Sequence, residues 1–141
     1  MGIQRLDHCS IRTIRLAETQ TFYEDIMGFH AGPRPNFPFP GVWLYQGDQA
    51  VVHVIGIDPN DKEGLAGYLG DKGADDATGT GTIDHIAFVA TGVPEMRAKL
   101  ERAGHKFFER TVPNLDLHQI FVDDPNGVTI ELNFPAGEAA A

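Results

Sequence analysis

The segment LDHCSIRT, Leu6–Thr13, is answered later in the chain by IDHIAFVA, Ile83–Ala90. Each is a strand-like run in which an acidic residue precedes a histidine, Asp7-His8 and then Asp84-His85. A helical segment follows each copy. After it comes a run rich in β-branched residues, AVVHVI with His53 and VTIEL with Glu131. His8 and His53 lie 45 positions apart, His85 and Glu131 46. Matched intervals around groups able to ligate a metal imply a duplicated unit, each half supplying two ligands to one shared site.

Working outward, alternation places His8, Ser10 and Arg12 on one strand face and Cys9, Ile11 and Thr13 on the other. Ala17–Met27 carries Phe22, Tyr23, Ile26 and Met27 at helical spacing and stops at Gly28. The four prolines of PRPNFPFPG, Pro33–Gly41, exclude a helix and a central strand. That stretch is a surface loop or an apolar flap over a pocket, since Phe37 and Phe39 would otherwise face water. Val42–Tyr45 and Ala50–Ile57 read as paired strands. The Gly- and Asp-rich run from Asp58 to Thr82 reads as an irregular crossover. Its TGTGT lacks the lysine and the setting of a phosphate loop. In the second half, Pro94–Ala103 is a helix stopped by Gly104, and Lys106–Phe108 a short strand. His118–Asp123 and Val128–Phe134 are strands joined through Asp124-Pro125-Asn126-Gly127. Each half is thus β-α-β-β-β. The expected fold is α+β: two βαβββ modules pairing into a curved mixed sheet around a metal-binding cleft. One domain is expected over 1–141, with module 1 at about 5–58, a linker at 59–81 and module 2 at about 82–135.

Bulk properties narrow the function. A formal charge of −9 argues against nucleic acid and anionic membrane surfaces as partners. The single cysteine, Cys9, excludes an intrachain disulfide and suits a reducing compartment. No apolar run is long enough for a membrane span, and MGIQRLDH lacks a signal-peptide core, so a cytoplasmic location is the default.

The expected metal ligands are His8, His53, His85 and Glu131. All four fall inside apolar strands, where an ionised Glu131 is costly to bury without a partner. Imidazole and carboxylate donors without thiolate suit one divalent ion, Fe, Mn, Zn, Ni or Co. Arg12 on the His8 face either clamps a substrate carboxylate or forms a surface ion pair, and Asn133, beside Glu131, is the second candidate for substrate contact. If the last hairpin has a four-residue loop, Ile120 pairs with Glu131 and His118 falls near Asn133. There it would serve as an acid or base alongside Glu131. A register change of one residue sends it the other way.

The doubled unit, with FYEDIMGF after the first strand and DPNGVTIEL near the end, resembles the vicinal oxygen chelate superfamily over Leu6–Pro135. That group includes glyoxalase I, extradiol dioxygenases, and fosfomycin and bleomycin resistance proteins. The resemblance puts metal ligands at His8, His53, His85 and Glu131, and implies a homodimer. It also implies a small-molecule substrate chelated through two adjacent oxygens, whose anionic intermediate the metal stabilises. A glyoxalase-I-like lyase or isomerase is the named form, with an arginine at the position of Arg12. Glyoxalase I, however, has glutamate where His53 stands. An Fe(II) extradiol-type dioxygenase using His8, His85 and Glu131, and a bleomycin-resistance-like binding protein, are the alternatives.

Overall fold

A computed structural model of the chain describes residues 2, 4–61, 63–69, 79–80, 83–112 and 116–140. It divides into two compact units, Met1–Ala77 and Thr78–Ala141. The first contains β1 (Cys9–Thr13), α1 (Leu16–Asp25), β2 (His30–Gly32), β3 (Gly41–Gln46), β4 (Gln49–Gly56) and α2 (Glu63–Leu69). The second contains β5 (Ile86–Val89), α3 (Val93–Ala103), β6 (Phe107–Val112), β7 (Leu117–Asp123), β8 (Thr129–Pro135) and a closing 3-10 turn, Ala136–Ala140.

The sheets share one topology. Strand order is β1-β4-β3-β2 in the first and β5-β8-β7-β6 in the second. In each, the strand after the histidine pairs in parallel with the last strand, and the remaining pairs are antiparallel. The fold is α+β, built from two βαβββ modules as the duplicated sequence predicts.

Alternation decides which face is core. In the first unit Ile11, Thr13, Leu44, Val52 and Val54 are buried on one sheet face. Helix α1, which packs against β3 and β4, buries Thr19, Phe22 and Tyr23. In the second unit Ile120, Val122, Ile130, Leu132 and Phe134 form the buried face, with Val93 and Leu100 of α3 also fully enclosed. Truncating a ring as enclosed as Phe134 to alanine costs about 3–5 kcal/mol. Glu138 accepts from the backbone N–H groups of Gly92 and Val93, at 2.6 and 3.3 Å, and so caps α3.

Three sequence expectations need correcting. Part of the expected irregular crossover is helix α2, which holds the buried Leu65. Most of the remainder, including all of TGTGT except Gly79 and Thr80, lies outside the described residues. The last hairpin turns through three residues, not four. Asp124 N–H donates to Val128 O at 2.9 Å, and Gly127 N–H to Asp124 O at 3.0 Å. Gly127 stands at φ 80°, the left-handed residue that follows a type I turn in a three-residue hairpin loop. The register therefore sets Phe121, not Ile120, opposite Glu131. This inverts β7: His118 lies opposite Phe134, on the core face. It does not sit near Asn133 as expected.

Candidate metal centre

The register makes the sequence repeat geometric. Ser10 pairs with His53 in the first sheet and Ala87 with Glu131 in the second. His8 precedes Ser10 by two residues, as His85 precedes Ala87. His8 thus matches His85, and His53 matches Glu131. Each unit brings two of the four expected ligands together just before and along its parallel strand pair.

In the first unit the His8 and His53 rings stack at 3.7 Å between centroids, 13° from parallel. Trp43, opposite His53 in the β3–β4 pair, stacks on the other face of His53 at 3.9 Å and 12°. His8 Nδ1 donates to Asp7 Oδ2 at 2.6 Å. His53 hydrogen-bonds the Ala50 backbone. Burial, then the neighbouring His8, holds the His53 pKa below the ordinary histidine value, so its ring favours the neutral form a metal needs.

In the second unit His85 Nδ1 donates to Asp84 Oδ2 at 2.8 Å, and its Nε2 lies 3.5 Å from Glu131 Oε1. The Asp84 hydrogen bond, then the charge of Glu131, raises the His85 pKa. Glu131 is buried although it is on the side of the sheet away from the core. A line of hydrogen bonds holds it. Arg110 Nε donates to Gln119 Oε1 at 2.8 Å, Gln119 Nε2 to Asn133 Oδ1 at 2.9 Å, and Asn133 Nδ2 to Glu131 Oε2 at 2.9 Å. Arginine has no acceptor, so it fixes the orientation of both amides. The Arg110 guanidinium also covers Phe121, 5.1 Å from its centroid, and Phe121 meets His85 edge-on at 6.4 Å.

These side chains suit a divalent ion. His8 and His85 have Nδ1 tied to the carboxylate of the preceding residue, which leaves Nε2 with its lone pair, the arrangement found around ligating histidines. Each unit presents two of the four candidate ligands. Among the described residues, no three His, Cys, Asp or Glu side chains gather into one metal-holding group.

His118 has a different setting. Its Nε2 donates to Glu109 Oε1 at 2.8 Å, and Thr111 Oγ1 lies 3.1 Å from its Nδ1. Arg97 of α3 clamps the same carboxylate with two 2.9 Å bonds. The imidazole thus ties β7 to β6 on the core side, on the opposite sheet face from Glu131, and Arg97 ties β6 to α3. Arg12, half-buried, lies across from Ile55 on the His53 side of the first sheet.

Beside His8 and His53 the first unit has a cavity of about 370 Å³, also lined by Phe37, Phe39, Trp43 and Arg34. The proline-rich stretch is therefore a flap: Phe39 is buried with Ile55, Ile57 and Leu65, and Phe37 packs on that cluster. Sequence reading missed Arg34, Trp43, Gln119 and Arg110. Only Gln119 left a usable trace, since correct hairpin register puts it opposite Asn133.

Two βαβββ units of one topology define the class, and the sequence agrees. The profile of the Glyoxalase/Bleomycin resistance protein/Dioxygenase superfamily matches residues 5–132, and the chain belongs to that superfamily. It is 25% identical over 135 residues to "Glyoxylase I 4" of Arabidopsis thaliana, covering 94% of this chain and 71% of that protein. Among solved structures, it resembles a glyoxalase family protein of Bacillus anthracis, with TM-score 0.68, 22% identity, and 96% and 98% of the two chains covered. It also resembles lactoylglutathione lyase of Agrobacterium tumefaciens, with TM-score 0.65, 18% identity, and 96% and 97% covered.

Proposed function

We propose that His8, His53, His85 and Glu131 hold one divalent ion, and that the chain is a glyoxalase-I-like lyase or isomerase. The two units then act as halves of a single vicinal oxygen chelate domain, working as a homodimer in the cytoplasm. The observation that carries this reading is the matched pair of half-sites: ligand-type side chains at register-equivalent positions, with both leading histidines tethered by an aspartate at 2.6 and 2.8 Å. The relatives named for glyoxalase I and lactoylglutathione lyase favour this reaction type.

The bound ion, Fe, Mn, Zn, Ni or Co, supplies a Lewis acid for two adjacent substrate oxygens. The protein's own part is positional. Asp7 and Asp84 aim the imidazoles, and the line from Arg110 holds Glu131 with Oε1 directed at His85. Glu131 moves the proton, while Arg12 and Asn133 contact substrate. His118, on the core face, has no part in this scheme.

Metal analysis of the purified protein tests the proposal. About one ion per chain is expected, and loss of it in His85→Ala. Stoichiometric metal in that variant, or a wild type that cannot be loaded, refutes the site. A panel of hemithioacetals, catechols and acyl-CoA thioesters then separates the chemistries. Ferrous-dependent oxygen uptake with catechols would instead mark a dioxygenase that uses His8, His85 and Glu131 as its ligand triad.

A further inference from the structure

We propose that the cavity under the proline-rich flap binds an aromatic monocarboxylate, ring against Phe37 and Trp43 and carboxylate on Arg34. This names a substrate class for the site proposed above and rests on that reading.

The walls set the apolar half of the ligand. Phe37 and Phe39 stack at 5.0 Å and 6° from parallel, and Phe37 tilts against Trp43 at 6.4 Å. With the His8–His53–Trp43 stack, they make most of the lining π-surface. Planar groups fill such a space by offset or edge contacts that aliphatic chains do not make. A volume of about 370 Å³ suits a one- or two-ring molecule.

Arg34 sets the polar half. Its guanidinium lies 5.1 and 5.3 Å from the Phe37 and Phe39 centroids and donates through Nη2 to Phe39 O at 2.9 Å. Among the described residues it has no ion pair. Asp7, a carboxylate at the same cavity, is taken by His8. Burial is the cause of the lowered Arg34 pKa, so the cation is held partly out of water without a counter-ion. A guanidinium has five donors in a planar fork, and those left over suit a carboxylate. The flap that carries Arg34 is anchored: Tyr45 OH donates to Pro33 O at 2.6 Å, and Gly64 of α2 lies so close to Pro38 that a Cβ there would come within 2.1 Å of its carbonyl.

Trp43 is the chain's one tryptophan, so its fluorescence reports on this cavity. Metal-loaded protein is titrated with phenylacetate and with uncharged phenylacetamide. Saturable change with phenylacetate is expected, with at least about tenfold weaker binding of phenylacetamide. Arg34→Gln should weaken phenylacetate about tenfold and leave phenylacetamide unchanged, while Arg34→Lys restores part of the loss. Phe37→Leu should weaken both probes. Circular dichroism checks that each variant is folded. Absence of binding at millimolar probe, equal binding of acid and amide, or an unaffected Arg34→Gln overturns the proposal. Binding abolished by a chelator yet untouched in Arg34→Gln places the carboxylate on the metal and also overturns it. Metal content is measured on the same samples. Full metal without phenylacetate binding fails this inference alone, and phenylacetate binding without metal fails the proposed metal site alone.

Discussion

At the scale of single residues, the decisive side chains act in tethered pairs. Asn133 donates to Glu131 Oε2 at 2.9 Å and is itself held by Gln119. Groups that orient a ligand in this way typically carry about 10–100-fold in metal affinity. If Glu131 holds the metal as proposed, Asn133→Ala should therefore weaken metal binding by that factor, measured by chelator competition. The ligand candidates were legible because His8, His53, His85 and Glu131 recur at matched intervals, His53 and Glu131 within strands and His8 and His85 just before them, not inside them as expected. Arg34 was not, since its meaning comes from two phenylalanines and a cavity that no spacing encodes. His118 was misplaced for a local reason: a left-handed Gly127 removes one residue from the loop, and with period-2 side chains one residue is a whole face.

At the scale of elements, α3 is fastened to β6 by Arg97 and β7 to β6 by His118, both converging on Glu109. Arg97, then His118, depress the Glu109 pKa. A depressed carboxylate stabilises the fold above its unfolded pKa, and that contribution is lost as pH falls through the folded value. Glu109→Gln should lower the urea midpoint at neutral pH. The gap to wild type should close on acidification below the carboxylate range. Helix α2 offers a steric test. A Cβ on Gly64 would meet the Pro38 carbonyl at 2.1 Å, so Gly64→Ala must push helix and flap apart, costing about 1–3 kcal/mol in urea unfolding. That helix was hidden in sequence by the surrounding glycine and aspartate, which read as loop although Leu65 is buried.

At the scale of the whole molecule, duplication explains why two sheets of identical strand order each carry two of the candidate ligands. If His53 and Glu131 are equivalents, His53→Glu should retain one metal per chain by metal analysis, whereas His53→Ala should lose most of it. The duplication is nevertheless unequal. Ile55 stands where Asn133 stands in the other half, by the register with Arg12 and Val89, so only one unit has an amide line. Asn133 covers Oε2 of Glu131 with an N–H, which leaves Oε1 as the oxygen turned toward His85. If Glu131 is the base proposed above, that one oxygen takes up and gives back hydrogen on the same side of a bound molecule. Any product with a new stereocentre would then leave with one handedness, a bias fixed by an arginine three hydrogen bonds away from that carboxylate.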